Sequence, residues 1–157
     1  MTLRRFAFIP VVVLVAASLA IALAGPARAD ILNGADTGGR PISVVMIGAA
    51  ERPGPGDPDG TGTASFTFNP GQGTVCFELT ASNIAPATAA HIHLAPPESP
   101  GPVVIPLTPP TSGSSSGCIS GVDQDLIKAI IKNPENYYVN VHNADFPAGA
   151  IRAQLSK

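Results

Sequence analysis

The chemistry available to this 157-residue chain is concentrated in its three histidines. His91 and His93 form His-Ile-His within ATAAHIHLA, and His142 closes the run NYYVNVH. Imidazole is a common metal ligand and the side chain most easily titrated near neutral pH. Two histidines at i and i+2 on one strand share a face, with Cα atoms about 7 Å apart. Their rings can converge on one ion, and a third ring from a neighbouring strand completes a three-imidazole set. Such a set, lacking thiolate, suits copper, zinc, nickel or iron rather than calcium or magnesium. Asp145 and Glu98, in adjoining loops, are candidates for a fourth ligand or for orienting a ring; Asn140 and Arg152 are candidates for the surrounding polar layer. The competing reading is structural, with the histidines hydrogen-bonding loop backbone and holding the Pro-rich segments down.

Other chemistry is thin. Ser114 to Ser116 lie in a low-complexity tract without the strand-to-helix elbow that exposes a nucleophile. No strand–Gly-loop–helix arrangement cradles phosphate. Asp57 and Asp59 fall in a Pro/Gly loop, where solvation is the expectation. Arg152 is a candidate anion ligand or the partner of Asp145 or Glu78. No catalytic residue is assigned.

The elements that must position the histidines read as short strands punctuated by Gly and Pro. Ile42 to Gly48 is apolar on both faces, which suggests a central strand. Glu51 to Gly62 is a loop. Thr63 to Phe68 and Thr74 to Thr80 alternate around Asn69-Pro-Gly-Gln-Gly73, a hairpin signal. The His-Ile-His strand leads into a Pro-rich loop and then Val103 to Leu107. Thr108 to Gly117 is expected to be a mobile loop. Val122 to Lys132 is the one good helix, with capping-box spacing from Ser120 to Asp123 and an apolar face of Leu126, Ile127, Ile130 and Ile131. Tyr137 to His142 and Ala150 to Leu155 make the last hairpin. Many short strands and one short helix predict an all-β Greek-key or immunoglobulin-like antiparallel sandwich. Period-2 alternation sends Ile92, Leu94, Val139, Val141, Ile151 and Leu155 to the core. It leaves His91, His93, Tyr138, Asn140, His142 and Arg152 on the other face. Tyr137 and Tyr138 should divide, one to core and one to surface. A shared metal site requires the two histidine strands to be neighbours.

Residues 1–29 read as a signal peptide: Arg4-Arg5, an apolar stretch from Phe6 to Ala24, a Gly25-Pro26 break and Ala27-Arg28-Ala29 as the cleavage site. A retained membrane anchor is the alternative. Residues 30–157 then form one extracytoplasmic domain, secreted or periplasmic. Beyond residue 29, six basic residues stand against eleven acids, a formal net charge of −5. With no basic patch and no Trp, nucleic acid is a poor partner. After cleavage no second apolar span remains, so the mature chain is expected to be soluble and outside the cytoplasm, with no membrane partner and an unidentified extracellular protein or surface partner. Two cysteines in an oxidising compartment predict a Cys76–Cys118 disulfide, with thiol metal ligation as the lesser alternative.

Several motifs together resemble the CHRD domain, found in chordin and in many exported microbial proteins. They are Ala90-His-Ile-His93, Gly101-Pro-Val-Val104, Asn133-Pro134, Tyr138-Val-Asn-Val-His142 and Phe146-Pro-Ala-Gly-Ala-Ile-Arg152, within a match over about Ile42 to Leu155. Leu94 stands where Gly often follows His-x-His, and Ala153 replaces the Gly of the usual Ile-Arg-Gly-Gln-Leu ending. The resemblance implies an extracellular β-sandwich and no established activity. A fainter likeness, to Cu/Zn superoxide dismutase, aligns His91, His93 and His142 with a copper-binding His-x-His strand and a later His. The bridging histidine and the zinc loop of that family are missing. The combined expectation is a binding module with one copper or zinc ion on an outer sheet face, or a non-enzymatic interaction or matrix module.

Overall fold

The computed structural model describes residues 39–157. The expected signal peptide lies outside the described residues. Alternating sequence gives eight strands: β1 (Arg40–Ile47), β2 (Thr61–Asn69), β3 (Thr74–Ser82), β4 (Ala89–Leu94), β5 (Val103–Leu107), β6 (Ser114–Ser120), β7 (Tyr137–His142) and β8 (Ile151–Gln154), with the helix α1 (Gln124–Lys132) between β6 and β7. The strands follow the order β5-β4-β7-β8-β1-β2-β3-β6, each pair antiparallel. Between β8 and β1 the ladder is a single residue pair, Ile47 opposite Arg152. The sheet therefore divides into two four-stranded halves, and the chain crosses between them three times, from β3 to β4, back from β5 to β6, and again from β6 through α1 to β7.

The inner faces of the halves meet in one apolar cluster. Phe66, Phe68, Phe77 and Leu79 come from one half and Ile92, Ile105, Val139 and Val141 from the other, joined by Ile127 and Ile130 of α1. Each such buried side chain contributes roughly 1.5–3 kcal/mol. This is the all-β antiparallel sandwich with one short helix that the strand pattern predicts.

Four local expectations are corrected. The last four residues of the tract expected to be a mobile loop, Ser114 to Gly117, belong to β6, which pairs with β3 from Ser114 opposite Thr80 to Ser120 opposite Thr74. Its Ser- and Gly-rich sequence conceals a strand because it buries little and is held by its partner's backbone. Leu94 is 43% exposed, since its strand ends there and turns toward Pro96. β1 is central in strand order, yet Val45 and Ile47 on its outer face are exposed. The helix starts two residues late because Asp123 caps it directly, its carboxylate accepting from the Asp125 N–H at 2.8 Å. Ser120 takes no part in that cap and lies in β6.

Cys76 and Cys118 stand directly opposite one another on β3 and β6 and form the expected disulfide, their Cα atoms 3.9 Å apart. The bond thus staples an edge strand whose own side chains are exposed or half-buried.

Candidate metal centre

β4 and β7 are neighbours, as a shared site requires. Ala89 lies opposite His142, His91 opposite Asn140 and His93 opposite Tyr138. On the far side of β7, Asn140 faces Arg152 and Tyr138 faces Gln154 of β8. Alternation therefore places His91, His93, Tyr138, Asn140, His142 and Arg152 on one outer face. Within it, one ligand nitrogen from each histidine lies within 4.8 Å of the others. Among the described residues this is the only His/Cys/Asp/Glu group so arranged.

The face is outer but not open. Residues 95–101 fold back over it, and their carbonyls are taken up by its side chains. The Arg152 guanidinium donates to Ser99 O at 3.1 Å and Pro96 O at 3.1 Å, and Gln154 donates to Ala95 O at 2.8 Å. Gly101 is needed in this turn, because a Cβ there would lie 2.0 Å from Leu94 O. Under this cover Arg152 is 1% and Asn140 1% exposed. Arg152 forms no ion pair with Asp145 or Glu78. Its charge is met by loop carbonyls and by Tyr138, whose ring centroid lies 3.5 Å from Cζ. Tyr138 stacks its other face on His93, with centroids 4.6 Å apart and planes at 4°. Both tyrosines are therefore buried, Tyr137 in the core and Tyr138 beneath the loop.

Two carbonyls set imidazole tautomers. A carbonyl oxygen only accepts, so Nδ1 of His93 donates to Gly101 O at 2.9 Å and Nδ1 of His142 to Pro147 O at 3.1 Å. That leaves each Nε2 with its lone pair. Nε2 of His93 is buried without a hydrogen-bond partner. Nε2 of His142 lies 3.2 Å from His91 Nδ1 and 3.0 Å from Asn140 Oδ1. Burial lowers the pKa of all three rings, reinforced at His91 by the other two imidazoles and at His142 by His93; at His93 Arg152 adds to the lowering, while the hydrogen bond that Nδ1 donates to Gly101 O opposes it. The neutral imidazole thereby favoured is the form that binds a metal.

The acidic candidates do not join the histidines. Asp145 is exposed, and Glu98 is exposed and paired with Arg52 at 3.1 Å. The acid that does approach the site is Glu51, hidden in the sequence at the head of a Pro/Gly loop. It is 2% exposed. Its carboxyl is packed so tightly against Gly149 that a Cβ there would lie 2.3 Å from it. Burial raises its pKa from 4.5 to about 7, against the opposing pull of Arg152, the Arg52 backbone N–H and the Asn140 amide. The unfolded chain releases this proton near 4.5 and the folded chain near 7. The folded state therefore holds the extra proton in between, and stability attributable to Glu51 falls as pH rises across that window, by about 3 kcal/mol in all. Relative to Glu51→Gln, the wild type is expected to lose stability between pH 4.5 and 7, with no further change outside that range. Urea unfolding of both proteins at pH 4, 6 and 8 measures this; a difference independent of pH would mean an ordinary carboxyl.

The chain falls in the broad class of small antiparallel β-sandwiches, here stapled by one disulfide and carrying a three-imidazole cluster on its outer face. Within it, this chain belongs to the CHRD domain family, whose model matches residues 42–155. No curated protein and no solved structure matches it significantly. Among the described residues no helix is long and apolar enough to cross a membrane.

Proposed function

We propose that this chain is an exported CHRD module that binds one transition-metal ion through His91, His93 and His142, for storage, protection or transfer. Copper ranks first by the Irving–Williams order and zinc second. The observation that carries this reading is the convergence of one ligand nitrogen from each of the three histidines within 4.8 Å, with Nε2 of His93 buried and partnerless. A buried acceptor without a partner is costly, and an ion at that point would satisfy it. An ion would also take the place of the His91–His142 hydrogen bond. Export is supported by the Cys76–Cys118 disulfide and by the signal-like residues 1–29.

A second reading rests on the bonds from His93 to Gly101 and from His142 to Pro147. In it the histidines pin two loops, and the protein is a non-enzymatic interaction or matrix module. Equilibrium dialysis of untagged protein separates the two. One copper or zinc per chain, lost in His91→Ala and in His142→Ala with the fold intact, supports the metal centre. A protein that stays metal-free after copper exposure and dialysis leaves only the structural role.

A further inference from the structure

The seam between β8 and β1 is a ladder cut short, and backbone parity shows which groups it leaves facing one another. The Gly48 N–H donates to Gly60 O at 3.3 Å, one residue beyond Ile47 opposite Thr61. Antiparallel pairs alternate between bonded and non-bonded. Met46 and Val44 therefore bond to β2 as well, while Ile47, Val45 and Ser43 turn their N–H and C=O groups away from it. Pro41 obeys the same parity, since the N–H it lacks would point away from β2. On the other side, the Leu155 N–H donates to Tyr137 O at 2.9 Å and Ala153 stands opposite Val139. Those two residues bond to β7, so Arg152, Gln154 and Ser156 turn their backbone groups to the seam.

Ile47 and Arg152, the one pair formed, are both seam-facing, as a bond between the strands requires. The same register continued would set Val45 against Gln154 and Ser43 against Ser156. Among the described residues no ladder pair forms there, and no backbone bond outside the ladders reaches any of the four. Instead a groove of about 660 Å³ opens, and all four residues line it. Val45 and Ile47 rise from its β1 wall, 68% and 44% exposed. The outer edges of the sheet are poorer hosts for a strand: β5 is short and carries Pro106, and β6 is Ser- and Gly-rich.

We propose that this seam is a docking groove for an extended segment of another polypeptide, which adds as a strand along β1. Unpaired N–H and C=O groups in a row are satisfied best by another backbone, the mode of recognition known as strand addition. From Ser43 to Ile47 the edge takes about five extended residues, roughly 17 Å. Side chains of the added strand that share the outer face would cover Val45 and Ile47, so β-branched apolar residues belong there. Those turned inward would meet Met46 and Leu155, which are already buried, so Gly or Ala belongs there. The segment carries no charge at these positions, because the one charged residue lining the groove, Arg152, has its guanidinium held by the carbonyls of Ser99 and Pro96. The proposal does not depend on metal binding.

The test adds the end-capped peptide KTVAVAVTK to the purified protein and follows amide exchange residue by residue. The expected result is saturable binding that slows exchange at Ser43 and Val45 by about tenfold or more. Val45→Pro removes a seam-facing N–H at the parity already held by Pro41, so it spares the ladder to β2; affinity should fall about tenfold. A second arm needs no variant: the same peptide N-methylated at its Val amides, the ones that face β1, should lose as much on the wild type. Absence of saturable binding overturns the proposal, as does equal affinity for the two peptides, an unchanged affinity in a folded Val45→Pro, or protection at the edges of β5 or β6 instead. So does protection of Ser43 and Val45 before peptide is added: if it grows with protein concentration the occupant is a second copy, and if not, it is the chain's own residues preceding β1.

Discussion

Zinc at a thousand times its dissociation constant is expected to stabilise the wild-type domain by about 4 kcal/mol, because an ion bound only by the folded chain shifts unfolding by mass action. For a domain of this size that corresponds to a rise in melting temperature of roughly 15 °C. The three ligand nitrogens come from β4 and β7, adjacent strands separated in sequence by β5, β6 and α1. Unfolding disperses them, so the unfolded chain has no preformed site to compete. The same addition should leave the melting temperature of His91→Ala unchanged. The check is a zinc titration followed by circular dichroism; equal shifts in both proteins would mean that binding lies elsewhere.

Loss of the disulfide is the second large effect. Cys76 and Cys118 close a 42-residue interval, and releasing it costs about 4 kcal/mol on the chain-entropy model. The loss should be local before it is global. β6 has no residue in the buried core, and its outer flank is unpaired among the described residues. Without the staple it keeps its ladder to β3, the packing of Ile119 and the Ser115 Oγ hydrogen bond to Thr108 O. In Cys76→Ser/Cys118→Ser, hydrogen exchange is expected to accelerate first at the amides of residues 114–120, ahead of β4 and β7. Uniform acceleration across all strands would show that β6 is integral to the cooperative core.

Where the sequence was legible, one physical signal dominated. Alternation of apolar and polar residues in β3, β7 and β8 assigns their faces correctly, because burial on one side of a pleated strand imposes period 2. The same signal puts the three histidines on one outer face. Pairing of β4 with β7 was not legible, since partner choice depends on contacts far apart in sequence. β6 was missed because Ser-Ser-Ser-Gly carries no apolar period, and its strand form comes from β3 and the disulfide. Exposure was misjudged at His93, Asn140 and Arg152. Alternation tells which face a side chain takes, and cannot tell that residues 95–101 return to cover that face. Glu51 illustrates the same limit: nothing local marks an acid beside Arg-Pro-Gly as one that ends buried against Gly149 and Gly56. Asp145 and Glu98, nearer in sequence to the histidines, remain in solvent.

The seam between the halves has a mechanical consequence. Elsewhere the sheet is knitted by ladders several residues wide, but β8 and β1 share one stitch, Ile47 with Arg152. Shear between the halves is thus resisted mainly by side-chain packing, a softer material than a hydrogen-bonded ladder. The stitch is made by the residue whose guanidinium clamps the loop over the histidines and lies on Tyr138. A tug that opens the seam therefore pulls on that clamp as well.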